Sequence, residues 1–387
     1  MDDLVDIGAL RRRAGIKWAR AGADVLPGWI ADMDFPVADP VREVLRRAAE
    51  GDLGYPEWDD RPDRNPMRHA FVDRMRDRYD FILDPDQVYV FTELIQVVQV
   101  VLQLMTRPGD AVAVHTPAYP PFLETLRVMG RRLVPIPMIE GDKGWTFDAD
   151  RMAEDVRLRE CRALILVNPN NPTGHVFDRD ELSAIAEIAC RHDLLVISDE
   201  IHSELTHEQN QHIPFGSLGP DVAARTVTLN SASKAFNLAG LRCCVAHVGD
   251  NRVRAALDAQ PPQLYGQVSA LSVLATCAAW REGDGWLAET QRTLTGNRDL
   301  VADSLPPEIR YHRPDAGYLA WLDCRALDLD QDPAAFFHEQ AKVLLLSGPD
   351  FGPDSAGFAR LNFATFRPVL EDMLGRVNDA VHKHLNR

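Results

Sequence analysis

Thr226-Val227-Thr228-Leu229-Asn230-Ser231-Ala232-Ser233-Lys234-Ala235-Phe236-Asn237 is the stretch on which the reading of this chain turns. A β-branched run ending in small hydroxyl residues and one lysine predicts a strand that delivers Lys234 to its exit loop. Lysine forms a Schiff base with an aldehyde cofactor when burial or neighbouring charge keeps its amine nucleophilic. The hydroxyls of Ser231 and Ser233 can bind a phosphate, and their small size permits close backbone approach. Ser-x-Ser-Lys alone is a short signal, since most lysines after a strand are solvated. Other stretches supply the missing parts of one site.

Asn168-Pro169-Asn170-Asn171-Pro172-Thr173-Gly174 follows the apolar run Leu164–Val167. Two Asn-Pro steps and a glycine force a tight non-helical loop and leave an asparagine amide facing the strand mouth. A lone Asn-Pro is usually only a well-made turn; the seven-residue string is far more specific. Asp199-Glu200-Ile201-His202 ends the run Leu194–Ser198, which puts one carboxylate at the sheet's carboxyl edge. A pyridine nitrogen against that carboxylate would be held protonated by about 4 kcal/mol at 4 Å and an effective dielectric near 20, or roughly three pKa units. A solvated pair supplies only ~0–1 kcal/mol, so Asp199 must be buried. His202, His207 and His212 recur every five residues, a spacing that does not share one helical face and lacks partner thiolates or carboxylates. No metal is expected.

The whole chain agrees with such a site. Its 387 residues, 45% of them hydrophobic, allow one large domain plus a smaller one around a real core. A net charge of -16 opposes a general nucleic-acid-binding surface. No stretch reads as a signal peptide or a membrane span, so a cytoplasmic protein without membrane or nucleic-acid partners is expected. The six cysteines show no Cys-x-x-Cys pair and read as free, mostly buried thiols. From Val88 onward, apolar runs alternate with amphipathic helical segments such as Asp180–His192. That grammar predicts an α/β fold with a doubly wound, mostly parallel sheet and functional groups at its carboxyl edge. Residues 1–40 read as an arm contributing to the small domain, 41–280 as the large domain, and 281–387 as a smaller α+β domain with strands near Gly317–Leu322 and Phe358–Phe363.

Taken together these stretches resemble the pyridoxal-phosphate enzymes of the aspartate aminotransferase superfamily, fold type I, over most of the chain. The resemblance implies that Lys234 carries the cofactor and later shuttles the Cα proton, and that Asp199 pairs with the pyridinium. It implies that Asn171 and His202 bond the ring's phenolic oxygen and that Tyr119, in Thr116-Pro117-Ala118-Tyr119, stacks on the ring. Ser231, Ser233 and Arg242, eight residues after the lysine, match the phosphate ligands, as do Glu93 and Leu94 by position. Arg360, in Ala359-Arg360-Leu361-Asn362, matches the arginine that grips the substrate α-carboxylate, with Asn171 and Ala31 also on the substrate side. Within the family, Trp29-Ile30-Ala31-Asp32-Met33-Asp34-Phe35, Gly54-Tyr55, Thr116–Tyr119 and Asp199–His202 look like the MalY- and PatB-type cystathionine β-lyases. There Tyr55 would reach the neighbouring subunit's phosphate, which implies a homodimer with shared sites.

One turn departs from that group. Its first phosphate-binding turn usually contains glycine, whereas here it reads Phe91-Thr92-Glu93-Leu94-Ile95-Gln96. Backbone N–H groups at a helix start can still bind phosphate, but Glu93 adds negative charge. Either its side chain points away or it does something the standard lyases do not. The expected activity is β-elimination from an S-substituted cysteine to a thiol, pyruvate and ammonia. The same site could instead serve transamination or a decarboxylating oxidative deamination of an S-cysteine conjugate. A cofactor-binding regulatory protein acting by protein contact is the alternative from another class.

Overall fold

The computed structural model describes residues 7–141, 144–207, 210–261 and 263–386. Fourteen strands lie among them: β1 (Leu26–Pro27), β2 (Val88–Phe91), β3 (Ala111–Thr116), β4 (Arg132–Gly141), β5 (Gly144–Phe147), β6 (Cys161–Val167), β7 (Leu195–Asp199), β8 (Thr226–Asn230), β9 (Cys244–Val248), β10 (Arg310–Tyr311), β11 (Leu319–Asp323), β12 (Val343–Leu344), β13 (Leu346–Ser347) and β14 (Phe358–Asn362). Eight of them form one sheet in the order β2-β9-β8-β7-β6-β3-β4-β5. Its centre, from β8 to β4, is parallel, and β9, β2 and β5 add antiparallel edges. β3, β7 and β8 are buried along their whole length, as strands covered on both faces must be.

Two apolar layers sandwich this sheet. Val97, Val101, Phe122, Ile165 and Ile197 belong to one, and Leu164, Val196, Leu182, Ile185 and Phe215 to the other, so alternate residues of a strand face opposite helices. The helix Arg179–Arg191 is fixed at its start by a capping box, Asp178 and Glu181 exchanging bonds with each other's backbone. The periodic pattern puts it at Asp180–His192, one residue away. In the helix Asp39–Glu50, Ala38 is the cap residue, Asp39 lies in the first turn, and its carboxylate pairs with Arg42. β5 carried no expectation, because Gly-Trp-Thr-Phe is too short to show a period.

A second sheet, β10-β11-β14-β13, is antiparallel, and β1 pairs in parallel with β12. That last pairing ties the N-terminal arm to the C-terminal third. A buried ion pair pins the arm further: Lys17 Nζ donates to Asp34 at 2.9 Å, and Trp18 Nε1 donates to the other Asp34 oxygen at 2.7 Å. The resulting loop, 29–34, is pressed against the carboxyl edge of the large sheet. No helix among the described residues is long and apolar enough to cross a membrane.

Candidate active site

Four neighbouring parallel strands end at one edge, and each delivers a residue to the same cavity of about 280 Å³. That volume lies just below the roughly 300–1,000 Å³ usual for small-molecule sites. β3 leads to Tyr119, β6 to Asn171, β7 to Asp199 and His202, and β8 to Ser231, Ser233 and Lys234. Glu93, Leu94, Arg242 and Ala31 also line it. A crevice beyond the carboxyl ends of parallel strands is where this architecture leaves backbone groups and loops uncovered.

The Asn-Pro loop shows why its string is so restricted. Asn168 and Asn170 spend their side-chain oxygens on the loop itself, accepting from Phe177 N and from Thr173 N and Oγ1. Gly174 adopts φ +70° where a Cβ would sit 2.2 Å from Pro314, so only glycine fits. Asn171 alone is turned to the site. Its Oδ1 accepts from Arg360 Nη1 at 3.0 Å, bringing together residues 189 positions apart.

Arg360 sits in the middle of β14 and is 2% exposed. It also donates to the Trp29 carbonyl at 3.1 Å, its guanidinium lies 5.1 Å from the Phe351 ring centre, and its Nε has no partner. No carboxylate among the described residues pairs with it. Burial lowers its pKa to about 10. A desolvated cation without an anion is costly unless a ligand supplies one.

Lys234 Nζ donates to the Ala31 carbonyl at 2.8 Å, and Tyr318 Oη donates to the same oxygen at 3.1 Å. Desolvation lowers the amine's pKa to about 8, Arg360 and Arg242 pushing the same way against Asp32 and Asp199. Asp199 is 5% exposed, which meets the requirement placed on it by the sequence. One of its oxygens accepts from the Ile201 backbone; desolvation raises its pKa to about 7, helped by Glu200. His202 is buried with Nδ1 unpartnered, and desolvation followed by the charges of Lys234 and Arg360 lowers it to about 3. The arrangement therefore holds an amine that gives up its proton near pH 8, a proton-accepting carboxylate and a neutral imidazole within one crevice.

The phosphate side is more mixed. Ser231 Oγ donates to the Cys243 carbonyl at 2.6 Å and accepts from Ser233 N at 3.0 Å, so it acts as a cap for the Lys234 turn. Ser233 lines the cavity. Arg242, at φ 51°, donates through Nη1 to Glu93 Oε1 at 2.8 Å. Glu93 thus does not point away. Leu94 opens the helix Leu94–Met105, whose N-terminus faces the cavity. Tyr55 is 95% exposed and lies outside the cavity of this chain.

His207 and His212 are structural: the first bonds Thr295 and the Gly317 carbonyl, the second Glu200. Among the described residues no cluster of His, Cys, Asp or Glu is placed to hold a metal. Tyr318 and Asn362 escaped the sequence reading. Asn362 Nδ2 donates to the Ile30 and Asp32 carbonyls at 2.6 Å each and so shapes the arm loop. Its place two residues after Arg360 was the only available hint.

The model of the family "Aminotransferase class I and II" matches residues 32–374. Cystathionine β-lyase PatB of Bacillus subtilis (strain 168) is 32% identical over 377 residues, covering 95% of this chain and 96% of the relative. The crystal structure of OvoB superposes with a TM-score of 0.91 at 34% identity and covers 98% of both chains. That of the PLP-bound C–S lyase from Staphylococcus hominis gives a TM-score of 0.89 at 28% identity, again over 98% of both. With strand order, site and sequence in agreement over this length, the chain belongs to the class I and II aminotransferase family.

Proposed function

We propose that the protein is a pyridoxal-phosphate-dependent carbon–sulfur β-lyase. It would take an S-substituted cysteine, cystathionine or a more elaborate S-cysteine conjugate, and one water to a thiol, pyruvate and ammonia. The observation that carries this reading is a single crevice holding the Lys234 amine and the buried Asp199 carboxylate, with the Arg360 guanidinium, which no carboxylate among the described residues neutralises, bonded to the Asn171 amide that lines it. The lyase names of relatives at 31–32% identity support the same reaction class.

The residues fit the cofactor. Lys234 would hold its aldehyde carbon, and Asp199 its ring nitrogen. The roughly three units by which burial raises Asp199 match the ~4 kcal/mol a ring cation at about 4 Å returns, so the pair is charged once formed. Asn171 Nδ2 and His202 suit the ring oxygen, and Tyr119 the ring face. Ser233, Arg242 and the amides at Leu94 and Ile95 suit the phosphate. Pyridoxal phosphate, when bound, supplies an electron sink for the pair released at the substrate's Cα.

The chain does the rest. Arg360 and Asn171 orient the substrate by its carboxylate, leaving Cα–H toward Lys234. Lys234 Nζ takes that proton; a pKa near 8 suits a general base at neutral pH. The Ala31 carbonyl holds the amine when it is not engaged with the cofactor. Loss of the Cα proton and rupture of Cβ–S, with the electron pair leaving on sulfur, give the thiol; hydrolysis of the remaining enamine gives pyruvate and ammonia.

The same proposal includes a homodimer, supported by the exposed loop bearing Leu53 and Tyr55, and a cytoplasmic location, supported by six free thiols. Incubation with cystathionine and a panel of S-alkylcysteines tests the reaction. Equal amounts of pyruvate and thiol are expected, and neither product across the panel rejects it.

A further inference from the structure

The turn that departs from the C–S lyase pattern carries a consequence for the cofactor's hold. Glu93 is the residue before the helix Leu94–Met105, yet its carboxylate makes no capping bond to that helix. It accepts instead from Arg242 Nη1 at 2.8 Å, across 149 residues of sequence. Both side chains line the cavity beside Ser233 and the helix start. A helix N-terminus carries about half a positive charge, and Arg242 adds one more. Glu93 therefore sits where the Arg242 guanidinium and the helix N-terminus converge, and offsets most of their positive charge.

Resting on the site assignment above, we infer that Glu93 competes with the cofactor's phosphate for Arg242 and keeps the cofactor exchangeable. The phosphate must share Arg242 with a carboxylate or displace it. Glu93 makes no contact with Lys234 or Asp199, the residues that would hold the aldehyde and the ring, so pyridoxal itself meets little of this competition. The effect falls mainly on the phosphate.

Glu93→Gln tests it, because the substitution is isosteric, lies at a half-exposed position and breaks no cap. The full-length chain, freed of cofactor, is titrated with pyridoxal phosphate and with pyridoxal, which lacks the phosphate; uptake is followed by visible absorbance. Removing one like charge from the phosphate's surroundings should lower the Kd for pyridoxal phosphate about tenfold and leave that for pyridoxal within about twofold. Cofactor loss from the loaded enzyme into a scavenger should slow by a similar factor. An unchanged or weaker pyridoxal phosphate affinity overturns the inference and makes Glu93 a residue that positions Arg242. Equal shifts for both ligands overturn it too, since the effect would not lie at the phosphate. Failure of the unsubstituted chain to take up either ligand would sink the site assignment itself, and it is seen before any substitution is made.

Discussion

Arg360→Gln removes a buried charge while leaving a planar amide near Asn171 and the Trp29 carbonyl. Burial lowers the guanidinium's pKa from its ordinary value to about 10, so the folded chain disfavours the charged form by about 3 kcal/mol. A cation whose folded pKa is depressed costs stability throughout the range below about 10, and the cost fades only as pH climbs from there toward the ordinary guanidinium value. Against this, the two hydrogen bonds to Asn171 and Trp29 contribute about 1 kcal/mol each. The variant should thus be as stable as the parent or about 1 kcal/mol more so. Activity should move the other way. A substrate carboxylate about 4 Å from the charge gains about 4 kcal/mol at an effective dielectric near 20, so kcat/KM should fall roughly a thousandfold. Urea unfolding and steady-state kinetics on one preparation give both numbers. A large stability loss alongside the activity loss, or near-parental kcat/KM, would refute the reasoning.

Other substitutions probe neighbouring parts of the site. Asp199→Asn should stabilise the cofactor-free chain more at pH 8 than at pH 5, because a carboxylate raised to about 7 costs the fold nothing below 3.8 and its full penalty above 7; a Tm gap that does not widen with pH speaks against it. Uptake of pyridoxal phosphate should quicken about tenfold per pH unit below 8 and level off above, as the Lys234 amine loses its proton; stopped-flow absorbance reads this, and a flat profile contradicts it. Lys17→Met strands the buried Asp34 carboxylate and should cost about 3–5 kcal/mol in urea unfolding, whereas a change under 1 kcal/mol would mean the pair does not pin the arm. Tyr55→Ala should leave the subunit's fold intact yet raise the pyridoxal phosphate Kd, and an unchanged Kd would remove this residue from the shared site.

Much of the site could be read from the chain because its parts follow strands. Each of Asn171, Asp199 and Lys234 comes within a few residues of an apolar run, and short-range pattern fixes where such a run ends. The alternation of runs and helices likewise pointed to the parallel sheet. What stayed hidden rests on contacts between distant segments. The Ala31 carbonyl meets Lys234 across 203 residues and Tyr318 across 287, and no local periodicity reports such encounters. Ser231 lines the cavity, and its hydroxyl also donates to the Cys243 carbonyl, a partner twelve residues away that only the fold brings close. Glu93 left two readings open in the sequence; its pairing with Arg242 removes the one in which its side chain points away.

The central claim, that one lysine carries the cofactor opposite Asp199, can be read from a single covalent mark. Borohydride reduction of the loaded protein fixes the cofactor to its amine, and peptide mass mapping finds it. The chain has five lysines, Lys17, Lys143, Lys234, Lys342 and Lys383, in separate regions of the sequence. The added mass should fall on the peptide containing Lys234 and on no other. A mark on any of the remaining four, or none at all, contradicts the account.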